Sequence, residues 1–314
     1  MQENVGRDLI MEYVLQVKDL EKQYGHFKAL SHVSMNIPKG AIYGFVGKNG
    51  AGKTTLIRII CGLQEPTKGE YSLYGRRCTD RDIDKSRRRM GAIVETPSIY
   101  LNMTAEENLK QQYLVLGRPS YDGIDELLDL VGLSKTGKKK AKNFSLGMRQ
   151  RLGIAIALAG SPDFLVLDEP VNGLDPQGII EIRELILKLN REKKITVLIS
   201  SHILGELSRI ATYYGFIDHG SIIREMSSKD LEAACRSCIQ VEVSDTKLLS
   251  GALEEYGMEY RILSDTEAEI YGKITISDLT MSLAEKGGEV ISMQERNESL
   301  EGYYMRLIGG GSDE

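Results

Sequence analysis

Short, almost wholly apolar runs are the clearest pattern in the first two thirds of the chain. Ala41–Val46, Phe164–Leu167 and Ile195–Ile199 are nearly uninterrupted hydrophobic segments, which indicates strands buried on both faces. Such strands are typical of a parallel sheet covered by helices, and a helix predicted over Pro176–Asn190 separates the last two of them. We therefore predict an α/β core.

Helix-favouring sequence dominates the middle of the chain. Three segments, Glu106–Leu116, Ile124–Val131 and Met148–Ala159, have this character. They are separated by Gly and Pro residues, which interrupt helices. The pattern predicts a helical subdomain over about residues 97–160.

The pattern changes after about residue 226, where alternating polar and apolar positions replace the apolar runs. Alternation predicts strands with one buried face. The four strands expected from it are Gln240–Val243, Tyr260–Leu263, Glu267–Tyr271 and Glu289–Met293. With helical stretches between them, the order strand, helix, strand, strand, helix, strand predicts a small ferredoxin-like α+β domain over residues 227–308. We expect flexible tails at residues 1–11 and 309–314.

A glycine-rich segment joins the predicted strand Ala41–Val46 to a predicted helix at Leu56–Cys61. Its residues are Gly47, Lys48, Asn49, Gly50, Ala51, Gly52, Lys53 and Thr54. Glycines in such a loop allow successive backbone N–H groups to surround phosphate oxygens. Lys53 would supply a cation for the β- and γ-phosphates, Thr54 a hydroxyl for Mg²⁺, and Thr55 a further donor. By itself the loop predicts a nucleoside triphosphate site of the kind that kinases, GTPases and motors share.

Two carboxylates follow the strand Phe164–Leu167, and a histidine follows the strand Ile195–Ile199. Successive strand residues point in opposite directions, so Asp168 and Glu169 can serve different partners. We expect Asp168 to hold Mg²⁺ and Glu169 to polarise the attacking water. Ligands of open α/β sheets bind beyond the carboxyl ends of the strands, which would place His202 within reach of a γ-phosphate.

Bulk composition argues against several other classes of protein. The chain of 314 residues has a net charge of −5, no Trp and five Phe, which disfavours a basic nucleic-acid surface with aromatic platforms. Four scattered Cys residues indicate a reducing compartment. The longest apolar runs, such as Ile154–Ala159, are far shorter than the roughly 20 residues that cross a bilayer. We therefore expect a cytoplasmic protein that reaches the membrane through a partner.

The order of these motifs resembles an ABC transporter ATPase. The phosphate-binding loop is followed by Phe144–Met148 before a helix, and then by Asp168, Glu169, Gly173–Pro176 and His202. The resemblance covers roughly residues 13–226. It implies a P-loop NTPase cassette, with a RecA-like parallel-sheet core, an antiparallel β subdomain and a helical subdomain, in a nucleotide-binding domain at residues 12–226.

The resemblance also implies a composite ATP site with Mg²⁺. In this family the nucleotide lies between two cassettes, so Ser145 and Gly147 would contact the γ-phosphate held by a second copy of the chain. Asp175 would lie at the dimer interface, and Tyr24 would stack on adenine. Ser145 also suits a helix N-cap, and the segment around Asp175 suits an ordinary turn. The second implied partner is an integral-membrane permease, with this chain at the cytoplasmic face of the membrane.

Two segments depart from the usual family pattern. The signature commonly reads Leu-Ser-Gly-Gly-Gln, whereas this chain has Leu146 and Met148 at its third and fifth positions. The loop that usually carries Gln has Glu95 instead, which puts a carboxylate near the metal. We therefore count Glu95 among the candidate catalytic and metal-binding residues.

Glu95, the segment Leu101–Leu109 and the ending Ser299–Tyr304 together resemble the bacitracin and lantibiotic export branch. The implied function is ATP hydrolysis that powers export of, or resistance to, an antimicrobial peptide through a separate permease. Peptide sensing without transport is an alternative. So is a soluble translation or repair factor, although this sequence carries neither the second cassette nor the coiled-coil insertion typical of those proteins.

Overall fold

The structure of the protein, a computed structural model, describes residues 12–235 and 237–309. It divides into two compact units, of which the first ends at Ser227 and the second begins at Ser228. The predicted tail at residues 1–11 lies outside the described residues, as does all but the first residue of the tail predicted at 309–314.

The first unit contains two sheets and several helices. Its strands are β1 (Tyr13–Tyr24), β2 (Phe27–Pro38), β3 (Ile42–Val46), β4 (Lys68–Leu73), β5 (Arg76–Arg77), β6 (Met90–Ile93), β7 (Phe164–Asp168), β8 (Thr196–Ser201), β9 (Tyr213–Asp218) and β10 (Ser221–Ser227). Its α-helices are α1 (Lys53–Ile60), α2 (Ile83–Arg87), α3 (Ala105–Val115), α4 (Ile124–Leu130), α5 (Leu146–Leu158), α6 (Pro176–Lys193) and α7 (Leu204–Leu207).

A six-stranded sheet forms the centre of this unit. The strand order is β10-β9-β3-β8-β7-β6. The strands β9, β3, β8, β7 and β6 run parallel, and β10 is antiparallel to β9. Every residue of β3, β7 and β8 is buried, as expected for strands covered on both faces. The predicted α/β core is confirmed.

A second sheet, of order β2-β1-β4-β5, is antiparallel. Strand β1 stays paired with β2 along its length, although the register shifts between Val17 and Leu20 at a bulge near Asp19, whose φ is 49°. Helices α3, α4 and α5 occupy the middle segment, and Thr104 and Glu107 form a capping box at the start of α3. Within the described residues, no helix is long and apolar enough to cross a membrane.

Two helix bounds differ from the sequence prediction by three residues. Helix α1 begins at Lys53 rather than at Leu56, and α6 ends later than predicted. Helix α6 continues past Asn190 to Lys193. It ends there because Lys194 adopts the left-handed conformation, with φ 57°, and its N–H donates to the Leu189 carbonyl. Glycine is the usual residue in this conformation at a helix end. Because the position is a lysine here, nothing in the sequence indicated that the helix ends there.

The second unit is an antiparallel sheet with helices. Its strands are β11 (Ser237–Val243), β12 (Glu259–Ile262), β13 (Glu267–Tyr271) and β14 (Val290–Asn297). Its helices are α8 (Ser228–Ala234), α9 (Thr246–Glu255), α10 (Ile276–Glu285) and α11 (Leu300–Gly309). The sheet order β12-β13-β11-β14, with antiparallel neighbours, is the ferredoxin-like arrangement.

Apolar and polar contacts hold different parts of the second unit. The apolar core comprises Ile239, Val241, Val243, Leu249, Leu253, Ala268, Ile270, Leu279 and Leu283. Polar contacts hold the segment Ser299–Tyr304 at the start of α11. Arg261 Nη1 donates to Ser299 Oγ at 3.3 Å. Arg306 Nη2 donates to the buried Glu298 carboxylate at 2.7 Å.

Glu225 is a half-buried carboxylate on β10. It accepts hydrogen bonds from Tyr43 Oη at 2.7 Å and from the Asn36 N–H at 3.0 Å. Burial raises the pKa of the Glu225 carboxyl, although both hydrogen bonds act in the opposite direction. The folded chain therefore holds this proton more tightly than the unfolded chain. The Glu225 carboxyl therefore contributes its full stabilisation of the fold below the ordinary glutamate pKa. This contribution is lost as the pH rises through the raised pKa.

We predict that Glu225→Gln removes this pH dependence. The amide oxygen can still accept both hydrogen bonds but carries no charge. At pH 7 the variant should equal or exceed the wild type in free energy of unfolding by about 1 kcal/mol or less, and the advantage should vanish in acid. Urea unfolding from acid pH to pH 7 measures the difference in free energy of unfolding. The control is Glu192→Gln, which changes an exposed carboxylate. An equal loss of stability at every pH would contradict the prediction.

Candidate functional site

Four of the predicted site segments converge at one edge of the six-stranded sheet, whereas Tyr24, Ser145, Gly147 and Asp175 lie at the end of β1 and at the starts of α5 and α6. The loop that begins at Gly47 follows β3, and Glu95 follows β6. Asp168 ends β7, and His202 follows β8. These four strands are parallel, so their carboxyl ends share the edge at which open α/β sheets bind ligands.

The glycine loop has a backbone shape that side chains would disturb. Gly50 and Gly52 have φ values of 83° and 109°, a region that L-residues other than glycine seldom adopt. A Cβ added at Gly52 would lie 2.8 Å from the Ala29 carbonyl oxygen, and one at Gly47 would lie 2.6 Å from the Ile217 carbonyl oxygen. Asn49 is exposed, whereas Ala51 is buried. The loop thus requires glycine on both conformational and steric grounds.

Lys53 begins α1 and is only 5% exposed. Its ammonium donates to the Gly47 carbonyl at 2.6 Å and to the Lys48 carbonyl at 3.2 Å. It also lies 3.3 Å from Glu169 Oε1. Thr54 and Thr55 follow on the first turn of α1 and are half-buried. The Lys53 ammonium is therefore held against the backbone of the glycine loop.

Glu169 connects Lys53 to His202. Its other carboxylate oxygen, Oε2, lies 2.6 Å from His202 Nδ1. Since an ionised carboxylate only accepts hydrogen bonds, the Nδ1 atom carries the proton in this contact and the Nε2 atom remains for another partner. Glu169 has φ 50°, an unusual conformation for glutamate that costs roughly 1–3 kcal/mol. The Glu169 N–H donates to Ser200 Oγ at 3.0 Å, which helps to hold that conformation.

Asp168 is buried beside Ser200. The Ser200 hydroxyl donates to Asp168 Oδ1 at 2.6 Å. The second oxygen, Oδ2, is buried and has no hydrogen-bond partner within the described part of the chain. An uncompensated buried carboxylate oxygen is costly, and a hard cation would compensate it. Among residues 12–235 and 237–309, no three His, Cys, Asp or Glu side chains form a metal site. Mg²⁺ would therefore also need hydroxyl, water or phosphate oxygens as ligands.

Glu95 reaches the same edge with its carboxylate already paired. Its Oε1 atom accepts a hydrogen bond from Arg58 Nη2 at 2.6 Å. The Glu95 side chain is 56% exposed, and that of Arg58 is 35% exposed. Glu95 has a left-handed backbone, with φ 63°. The Glu95 carboxylate thus points to the guanidinium of Arg58 on α1.

Ser145 and Asp175 each cap a helix of their own chain. Ser145 Oγ accepts from the Met148 N–H at 3.2 Å at the start of α5. Asp175 Oδ1 accepts from the Gly178 N–H at 3.2 Å at the start of α6. The two helix starts are neighbours, because a Cβ added at Gly147 would lie 3.8 Å from the Leu174 side chain. The alternative N-cap interpretation of Ser145 is therefore correct, and any role toward a second chain would be additional.

Tyr24 lies at the end of β1 and is 43% exposed. Its hydroxyl donates to Gln64 Oε1. Lys22 Nζ lies 5.2 Å from the ring centroid, a cation–π distance. The ring is therefore oriented by two contacts and remains accessible for stacking.

Comparison with known proteins identifies the family. The ABC transporter family profile matches residues 30–172. The bacitracin transport ATP-binding protein BcrA of Bacillus licheniformis is 39% identical over 305 residues, which cover 96% of this chain and 99% of BcrA. This chain belongs to the ABC transporter ATP-binding family.

Other relatives agree with this assignment. The lantibiotic transport ATP-binding protein SrtF of Streptococcus pyogenes is 47% identical over 212 residues, which cover 68% of this chain and 90% of SrtF. The structure of cbiO1 from Clostridium perfringens has a TM-score of 0.64 and 27% identity, covering 71% of this chain and 91% of cbiO1. A dimeric ATP-binding cassette bound to ADP and Pi has a TM-score of 0.62 and 27% identity, covering 68% of this chain and 98% of that cassette. The predicted cassette fold, ATPase class and resemblance to the bacitracin and lantibiotic branch are confirmed.

Two residues of this ABC ATPase site were missed in the sequence analysis. Ser200 contacts both acidic residues, since its hydroxyl donates to Asp168 and accepts from the Glu169 N–H. The pairing of Asp168 with Ser200 across β7 and β8 explains this. The sequence did contain an indication of Ser200, which is a polar residue at the end of the strand beside β7. Nothing in the sequence indicated the role of Arg58, because its partner Glu95 lies 37 residues away.

We predict that Ser200→Ala slows ATP hydrolysis roughly ten-fold, while the Kd for ATP stays within about two-fold. The reason is that the Ser200 hydroxyl orients Asp168 and Glu169, the residues assigned to the metal and to the attacking water. Single-turnover hydrolysis and equilibrium ATP binding measure the two effects. Ser201→Ala is the matched control, because within residues 12–235 and 237–309 the Ser201 hydroxyl bonds only to the local backbone at Ile203. Equal losses in both variants would contradict the prediction.

Proposed function

We propose that this ABC ATPase powers the export of, or resistance to, an antimicrobial peptide of the bacitracin or lantibiotic type through a separate membrane permease. The observation that carries the proposal is the match to BcrA, which extends over 96% of this chain rather than over the cassette alone. Two further transport proteins of this type, BcrA of Enterococcus faecalis and SrtF, support it. The chain would act at the cytoplasmic face of the membrane.

The proposed chemistry is phosphoryl transfer from ATP to water. Glu169 would orient the attacking water, and Lys53 would stabilise charge that develops on the γ-phosphate. His202 holds the Glu169 carboxylate through its Nδ1–H. Donation from Nε2 to a phosphate oxygen would require the imidazolium form, in which both ring nitrogens carry hydrogens. In the arrangement described above, Glu169 neutralises Lys53. A bound phosphate would neutralise Lys53 instead of Glu169. The Glu169 carboxylate would then be free to orient the attacking water.

Thr54 and Asp168 are the proposed Mg²⁺ ligands. The unpaired, buried Oδ2 atom of Asp168 supports this assignment, and Thr54 offers a hydroxyl at the start of α1. When bound, Mg²⁺ would neutralise phosphate charge and polarise the γ-phosphate. Glu95 remains a candidate metal-binding and catalytic residue that would first have to leave Arg58. Tyr24 would stack on adenine.

The second half of the ATP site would come from another copy of the chain. Ser145 and Gly147 begin α5, and a helix start can present backbone N–H groups to phosphate. Asp175 lies beside this segment at the start of α6. The similarity to a dimeric cassette with bound ADP and Pi supports the dimer. An isolated copy would therefore hydrolyse ATP poorly.

We predict that Glu169→Gln binds ATP at least as tightly as the wild type but hydrolyses it roughly 10²-fold more slowly or worse. Removing the carboxylate frees Lys53 for phosphate and removes the group that activates water. The variant should also form a dimer that ATP stabilises, which light scattering can detect. Glu206→Gln, which alters a carboxylate paired with Arg183 at 3.2 Å, is the control. Wild-type turnover by Glu169→Gln would refute its assigned role.

The peptide function can be tested in the native host. Replacing the chromosomal gene with a Glu169→Gln allele should lower resistance to bacitracin or to a lantibiotic to the level of a deletion strain. Resistance to an antibiotic that is not a peptide should stay unchanged. If both strains keep full resistance to every peptide tested, the proposed substrate class is wrong.

A transport assay separates export from sensing. Inside-out membrane vesicles that contain this chain and the membrane protein that copurifies with it should take up labelled peptide when ATP is added. Vesicles with Glu169→Gln should not. ATP hydrolysis stimulated by peptide, without peptide movement, would favour the sensing alternative instead.

A further inference from the structure

The ion pair between Arg58 and Glu95 has no role in the chemistry described above. Glu95 stands where the family commonly has a neutral glutamine, and its carboxylate contacts Arg58 Nη2 at 2.6 Å. Arg58 lies on α1, the helix that begins with Lys53 and Thr54. The pair therefore joins the loop after β6 directly to the helix that carries the phosphate-binding residues.

Stability does not explain this ion pair. Both side chains are at least one third exposed, and exposed ion pairs contribute about 0–1 kcal/mol to folding. The core side of α1 is formed instead by apolar residues, which are Leu56, Ile57, Ile59 and Ile60. The fold should therefore tolerate a neutral residue at position 58.

The position of Arg58 on α1 matters for the nucleotide site. Residues four apart on a helix lie on the same face, one turn from each other. Arg58 thus follows Thr54, the proposed metal ligand, along one face, and both side chains are half-buried. The guanidinium lies one helical turn from the start of α1, where the triphosphate would bind.

The charges at this edge of the sheet suggest what the Arg58–Glu95 ion pair contributes. ATP brings several negative charges to an edge that already carries Asp168, Glu169 and Glu95. Lys53 offsets Glu169 at 3.3 Å, and Arg58 is the ion-pair partner of Glu95. A carboxylate that pointed toward the phosphates without compensation would repel them, because like charges a few ångströms apart interact strongly near a protein surface. A glutamine at position 95 would not need this compensation.

We propose that Arg58 is the positioning residue and counter-ion of Glu95. It holds the carboxylate on α1 while ATP enters a site that carries a carboxylate in place of the usual amide. Glu95 would act on the metal only after it leaves Arg58. This inference rests on the proposed position of the nucleotide, but it does not depend on which peptide is transported.

Binding of ATP without metal tests this role, because no hydrolysis occurs in EDTA. Fluorescence titration with a labelled ATP should show that Arg58→Gln weakens binding roughly 5- to 10-fold. In a Glu95→Gln background the same substitution should change binding by less than about two-fold, because no charge remains to be compensated. Arg58→Lys, which keeps the charge but loses the planar fork, should retain most of the affinity.

A matched control excludes a general effect of lost surface charge. Lys110→Gln breaks an exposed ion pair with Glu106 at 2.6 Å on α3. Its ATP affinity and that of the wild type should be equal. Thermal unfolding of all variants should give similar midpoints, which would show that Arg58→Gln is folded.

Two results would overturn the proposal. If Arg58→Gln weakens ATP binding equally with Glu95 or with Gln at position 95, Arg58 supports the helix or contacts the nucleotide itself. If it weakens binding in neither background, the ion pair has no role in nucleotide entry. Because the probe is ATP alone, a failure of the peptide assays would leave this test unaffected.

Discussion

The buried ammonium of Lys53 is the constraint on which the site depends. At 5% exposure it needs partners, and it finds them in two loop carbonyls and in Glu169. The curled glycine loop, the left-handed backbone of Glu169 and the orientation of His202 all belong to this arrangement. The same groups that stabilise one another here are those that ATP would engage.

The parallel sheet brings these groups together because four strands end at one edge. The pairing of β7 with β8 sets Asp168 beside Ser200, so one hydroxyl orients both acidic residues. The left-handed conformations at Glu95 and Glu169 redirect side chains within two residues of the ends of β6 and β7. Glutamate is an unusual choice for such positions, and both examples lie at the proposed site of chemistry.

Charge compensation accompanies the departure from the common family pattern at position 95. A carboxylate at position 95 faces Arg58, and the carboxylate of Glu169 faces Lys53 and His202. In the second unit, the buried Glu298 is likewise matched by Arg306. The ending Ser299–Tyr304, which resembles the bacitracin and lantibiotic branch, follows Glu298 and begins α11. The segment Ser299–Tyr304 therefore has a structural role, because these polar contacts hold the start of α11.

The sequence by itself determined the α/β core, the phosphate-binding loop and the acidic strand end, because each depends on local order: apolar runs, glycine spacing and neighbouring residues. It also indicated the strand order of the second unit along the chain. Tertiary structure alone decided that Glu95 meets Arg58, that Ser200 serves both acidic residues, and that α6 ends at Lys193 without a glycine. The two side-chain contacts join residues far apart in sequence, and the helix end depends on a backbone conformation that is unusual for lysine. Features of these two kinds do not alter the periodicity or the composition of the sequence, so pattern analysis does not detect them.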